Sequence, residues 1–136
     1  MKTKFFLTTA LIFAGVLTFT VINGFQPKKP WVVPDKYVKM KNPEAASAES
    51  LKTGKDLWTR NCQSCHGKTG QGDGTKAAQL KTEPGNFSAA EEQSQTDGSL
   101  FYKISEGRGD MPAFKKKIPE QEDLWSMVNY IRTFKK

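Results

Sequence analysis

The sequence predicts an all-α protein: one small helical domain, preceded by an apolar N-terminal helix and an extended linker. Three observations predict it. After residue 47, apolar side chains recur at spacings of three and four in three separate stretches. Residues that start and stop helices bracket those stretches. No stretch alternates apolar and polar residues as a half-buried strand does.

The N-terminus carries Lys2 and Lys4, then an uncharged apolar run from Phe5 to Ile22. A basic start followed by an apolar run is the layout of an export signal. As a helix the run would reach about 27 Å, slightly less than a hydrocarbon core of roughly 30 Å. Residues 1–24 are therefore expected to be a signal peptide or an N-terminal membrane anchor. The exit from the run, Thr20-Val21-Ile22-Asn23-Gly24-Phe25, has no small-x-small cleavage pattern and no cysteine for lipid attachment. Residues 25–47 read as a Pro/Lys-rich linker, because Pro27, Pro30, Pro34 and Pro43 break helices and the lysines keep the chain solvated. Trp31, Val32 and Val33 are its apolar exception, suited to docking on the domain or on a membrane interface.

Residues 48–136 are expected to fold as the domain. Its first helix runs from about Ala48 to Asn61, with Leu51, Gly54, Leu57 and Trp58 on one face. A second covers about Asp97 to Ser105, with Thr96 as N-cap and Gly107 just past its end. Leu100, Phe101 and Ile104 are its inward residues. The third covers about Pro119 to Phe134, with Glu120, Glu122 and Asp123 at its start and Lys135 and Lys136 after its end, which suits the helix dipole. Leu124, Met127, Val128, Ile131 and Phe134 form its apolar stripe.

The formal net charge of +7 is unevenly placed. Seven of the 21 basic residues and only one acid precede residue 44, which leaves 14 basic against 13 acidic residues in the rest. The basic character belongs to the tether, and no basic–aromatic stripe is present, so nucleic acid is excluded as a partner.

Chemistry concentrates in Cys62-Gln63-Ser64-Cys65-His66, which uses both cysteines and the only histidine of the chain. Two thiols spaced C-x-x-C can add to the two vinyl groups of one haem, leaving the adjacent histidine under the iron. A thioredoxin-like dithiol is disfavoured, because that motif sits in a βαβ fold. A zinc site needs four ligands, and two cysteines with one histidine supply three. A simple disulfide in an exported chain is the remaining alternative. Internal repeats are absent, which argues for a single haem c.

With these residues on view, the segment from about 48 to 134 resembles a single-haem class I c-type cytochrome, and is also similar to the haem c domains of respiratory oxidase subunits. The resemblance implies a small cytochrome c fold wrapped around one covalently attached haem. It also implies that Gly54 and Trp58 on the first helix pack against Met127, Tyr130 and Ile131 on the last.

Electron-transfer haem needs a second strong axial ligand. With His66 the only histidine, bis-histidine ligation within the chain is impossible, and four methionines remain. Met1 belongs to the export segment, Met40 to the linker and Met127 to an apolar helix stripe. Met111 is left, and Gly107-Arg108-Gly109-Asp110-Met111-Pro112-Ala113-Phe114 resembles the methionine-ligand loop of the family. The iron ligands are thus expected to be His66 and Met111. By resemblance the Pro84 carbonyl is the partner of the His66 ring, and Arg108 is a candidate partner for a haem propionate. The loop Gly67-Lys68-Thr69-Gly70-Gln71-Gly72-Asp73-Gly74 lacks the ending of a phosphate cradle and is expected to shape the haem edge.

The resulting expectation is a non-enzymatic single-electron carrier with redox-protein donors and acceptors, exported to the periplasm or the periplasmic face of the inner membrane. The first alternative is a haem subunit of a larger membrane respiratory complex. A five-coordinate haem enzyme or sensor is the second.

Overall fold

The computed structural model describes residues 29–136, so the expected signal or anchor segment lies outside the described residues. Among the described residues six helices follow one another: α1 (Asp35–Val38), α2 (Ala48–Asn61), α3 (Gln63–His66), α4 (Ala90–Gln93), α5 (Asp97–Glu106) and α6 (Gln121–Arg132), with a 3₁₀ turn at Ala77–Gln79. Among the described residues the only bridge of β type joins Arg108 and Met111. The fold is all-α, and none of these helices is long and apolar enough to cross a membrane.

Local signals account for the three long helices. The Ser47 side chain caps α2 by accepting from the Ser50 N–H, and the Thr96 hydroxyl does the same for α5 through Ser99. The last helix begins two residues later than the proline signal implies, with Glu122 and Asp123 in its first turn and Arg132 in its last. α1, α3 and α4 span one turn each, too short to persist on helix propensity alone. Tertiary contacts hold them, which is why periodicity did not announce them.

The core forms where α2 and α6 cross. Trp58, Leu124, Met127, Val128 and Ile131 are its largest fully buried side chains. Gly54 makes the crossing possible: a Cβ there would stand 2.2 Å from the Ser126 carbonyl oxygen and 2.8 Å from Tyr130 Cβ. Only a residue without a side chain lets the two backbones approach this closely. A polar seam runs beside the contact. The Ser50 hydroxyl lies 3.1 Å from that of Ser126, and Asn129 Nδ2 donates to Ser50 Oγ at 2.9 Å. Arg132 closes the other end, its guanidinium donating to the Asp97 carboxylate and to the backbone carbonyls of Gln93 and Gln95.

The stretch read from sequence as linker is ordered against this core from Trp31 onward, and Trp31–Lys136 makes one unit. α1 packs on α5, with the Tyr37 and Tyr102 rings 4.7 Å apart. Asn42 Nδ2 donates to Asn129 Oδ1 at 2.8 Å. The prolines do exclude a long helix here. What holds the segment is a set of well-separated side-chain contacts with residues far along the chain.

Candidate functional site

Cys62 ends α2 and caps α3, so the Cys62–His66 pentapeptide forms one helical turn that continues directly from the end of α2. Both cysteines are free thiols, Cys62 buried and Cys65 half-buried. Burial, aided by the neighbouring Cys65, pushes the Cys62 thiol up to about 12. A thiol held so high has little thiolate character at neutral pH, which disfavours redox-dithiol chemistry. Among the described residues no group of three or more His, Cys, Asp or Glu side chains converges to hold a metal ion. The zinc alternative lacks a donor set.

His66 is the last residue of α3. Burial pushes its imidazole down to about 4, opposed by the backbone carbonyl of Pro84. The ring is therefore neutral, the form in which histidine ligates a metal. Its Nδ1 is buried and makes no bond that meets hydrogen-bond geometry. The Pro84 carbonyl nevertheless lies close enough to act on the ring. Around His66 stand Phe87 and Trp58, with ring centroids at 5.2 and 5.7 Å. Phe134 lies 4.9 Å from Trp58 and completes an aromatic wall. Phe87 was not singled out from the sequence. The signal available for it was an aromatic three residues after the proline that serves the histidine.

The glycine-rich loop after His66 folds back on α3. Gly72, Gly74 and Lys76 donate their N–H groups to the carbonyls of His66, Cys65 and Ser64 at 2.8, 3.2 and 2.8 Å. These are carbonyls that a helix end leaves without an intrahelical partner. Trp58 Nε1 adds a bond to the Gly67 carbonyl at 3.1 Å. The loop therefore fixes the turn carrying both cysteines and the histidine. An open cleft of about 290 Å³ lies along the end of α2, lined by Leu57, Arg60, Asn61, Lys117 and Ile118.

Met111 and Arg108 sit together in the loop between α5 and α6. Their backbones exchange two hydrogen bonds, Arg108 N–H to Met111 carbonyl at 2.8 Å and the reverse at 3.0 Å. Gly107 starts the loop at φ +63°, where a Cβ would come within 2.4 Å of the Met111 oxygen. The Asp110 carboxylate accepts from the Lys81 N–H at 2.7 Å, and Phe114 N–H bonds to the Ile104 carbonyl at 3.1 Å. Met111 is half-buried and packs against the core that contains Cys62. Of the other methionines, Met127 is 1% exposed inside that core, Met40 is exposed at the end of α1, and Met1 lies outside the described residues. The residues present fit a covalently attached haem: two thiols one turn apart, a buried neutral imidazole, and a thioether on a loop packed against the same core.

Comparison with known proteins places the domain in a family. A family described as "Cytochrome C oxidase, cbb3-type, subunit III" matches residues 49–131. Among solved structures, the chain is similar to a "KustC0563 c-type cytochrome" at 30% identity and TM-score 0.54, covering 61% of this chain and 98% of that one. A point mutant of that cytochrome matches at 29% identity and TM-score 0.52, over 61% and 99% of the two chains. A chain of the "Kuenenia stuttgartiensis reducing HAO-like protein complex Kustc0457/Kustc0458" shares the fold, at 20% identity and TM-score 0.63 over 82% of this chain. This chain spans 53% of the length of that one. No curated protein matches the sequence significantly. With more than half its length matched, the chain belongs to the cytochrome c family of cbb3-type oxidase subunit III, whose domains carry covalent haem c and work by electron transfer.

Proposed function

We propose that this chain is a single-electron carrier with one haem c, bound covalently through Cys62 and Cys65 and ligated by His66 and Met111. The observation that carries the reading is the α3 turn, which sets two thiols beside a buried, neutral imidazole. When bound, the haem supplies one-electron chemistry, its iron alternating between the ferric and ferrous states.

The residues of the chain set the conditions for that chemistry. Cys62 and Cys65 fix the group to α3. His66 supplies a ligand that needs no deprotonation, and the Pro84 carbonyl is assigned as the acceptor that orients its ring. Met111 supplies a soft thioether, which favours the ferrous state and a positive midpoint potential. Arg108 is assigned to a propionate. Trp58, Phe87 and Phe134 exclude water from the histidine side. No other imidazole is present for acid–base work, and the role is transfer of electrons between protein partners, not catalysis. Export to the periplasm follows from the apolar N-terminus, with attachment to the inner membrane if residues 1–24 are retained.

A second reading, a haem subunit of a membrane oxidoreductase, is favoured by the family description and by a fold relative that belongs to a protein complex. The carrier reading is tested by the mass and absorption spectrum of the mature, haem-loaded protein. One haem added to the chain mass and a weak far-red thioether–iron band are expected, and Met111→Ala should abolish that band and lower the midpoint potential by on the order of 0.2 V. A high-spin ferric spectrum in the unaltered protein would refute the ligand set. Co-purification with integral-membrane subunits would favour the second reading.

A further inference from the structure

The N-terminal segment makes one contact that goes beyond the haem-site assignments, although one of its members, Arg108, is also assigned to a propionate. Two cations lie over the Trp31 ring: the Arg108 guanidinium carbon is 4.5 Å from its centroid and the Lys103 ammonium nitrogen 5.4 Å. An indole face attracts a cation through its quadrupole, and Trp does so best among the aromatic residues. Lys103 and Arg108 repel each other, and Lys103 is partly desolvated. The indole therefore adds to the Glu92 carboxylate in offsetting this like-charge pair.

One of those cations belongs to the Met111 loop itself. Arg108 is the residue whose backbone exchanges both hydrogen bonds with Met111. The other, Lys103, projects from α5 and donates to Gln95 Oε1. Trp31 thus ties the loop to α5 at the point where Met111 is held. It is delivered by a fixed element. A Cβ on Gly98 would overlap the Tyr37 carbonyl oxygen at 1.9 Å and Met40 Cβ at 2.9 Å, so the segment following Trp31 lies flush on α5. Trp31 falls outside the residues 49–131 matched by the family.

We propose that Trp31 is a positioning residue for the Met111 loop, clamping the Arg108–Met111 bridge through its two cation contacts and so resisting release of the thioether from iron. This rests on the assignment of Met111 as axial ligand. Loss of the clamp lets the loop open more readily, and an external ligand then competes better for ferric iron.

The test is an imidazole titration of the ferric, haem-loaded full chain, followed through loss of the far-red band. Trp31→Ala should bind imidazole about tenfold more tightly, equal to ~1.4 kcal/mol, and Trp31→Phe, which keeps a weaker quadrupole, about threefold more tightly. Urea unfolding of the same variants separates positioning from bulk stability. A lowered unfolding midpoint with unchanged imidazole affinity in either variant overturns the proposal. Should Trp31→Ala not accumulate, the Trp31→Phe titration decides alone. Absence of the far-red band from the unaltered protein refutes the ligand assignment instead, and this proposal with it.

Discussion

Replacing Gly54 by alanine tests the geometry that the whole site hangs from. The new Cβ would lie 2.2 Å from the Ser126 carbonyl oxygen, 2.8 Å from its carbon and 2.8 Å from Tyr130 Cβ, against about 3.4 Å for an ordinary contact. Two of these three atoms are α6 backbone, so no rotamer change relieves them, and α2 and α6 must part by about 1 Å. Overpacking of this kind costs ~1–3 kcal/mol, and contact with backbone places it at the upper end. Alanine returns ~1 kcal/mol through higher helix propensity. The net expectation is a loss of about 2 kcal/mol, a fall of on the order of 10 °C in Tm for a domain of this size. Urea unfolding of the haem-loaded protein, read by far-UV circular dichroism, should show a lower midpoint at unchanged slope. A Gly54→Ala protein as stable as the unaltered one would refute the close-crossing account. So would a more stable one, since propensity alone predicts that sign.

Two further outcomes follow from the same reasoning. Gly107→Ala places a Cβ 2.4 Å from both the Met111 oxygen and the Pro112 carbonyl carbon at a left-handed φ, so about 2 kcal/mol of stability should be lost. The far-red band should weaken while helix content stays constant, and a band of full intensity would contradict the placement of the Met111 loop. Arg132→Ala removes bonds to the Asp97 carboxylate and to two carbonyls between α4 and α5. With the side chain 28% exposed, an unfolding loss of ~1–2 kcal/mol is expected. Arg132→Lys should recover less than half, because an ammonium lacks the planar fork; full recovery by lysine would show that charge alone matters.

The sequence by itself determined what is local. Helix periodicity located α2, α5 and α6 to within about two residues, because an apolar stripe and its caps lie within one element. The Cys62–His66 pentapeptide put its donors within one turn by covalent connection, and a lone histidine limited the ligand options by composition. Tertiary structure decided what depends on residues far apart. Gly54 is required because of where Ser126 and Tyr130 arrive, and Asn42 is held by Asn129, 87 residues away. Residues 31–47 carry proline and lysine like a linker, yet they lie on α5 and α6 because Trp31 meets Lys103, Tyr37 meets Tyr102 and Asn42 meets Asn129. No periodicity encodes such contacts: each is a single side chain in a nonrepeating segment, and its free energy exists only once the helices have packed.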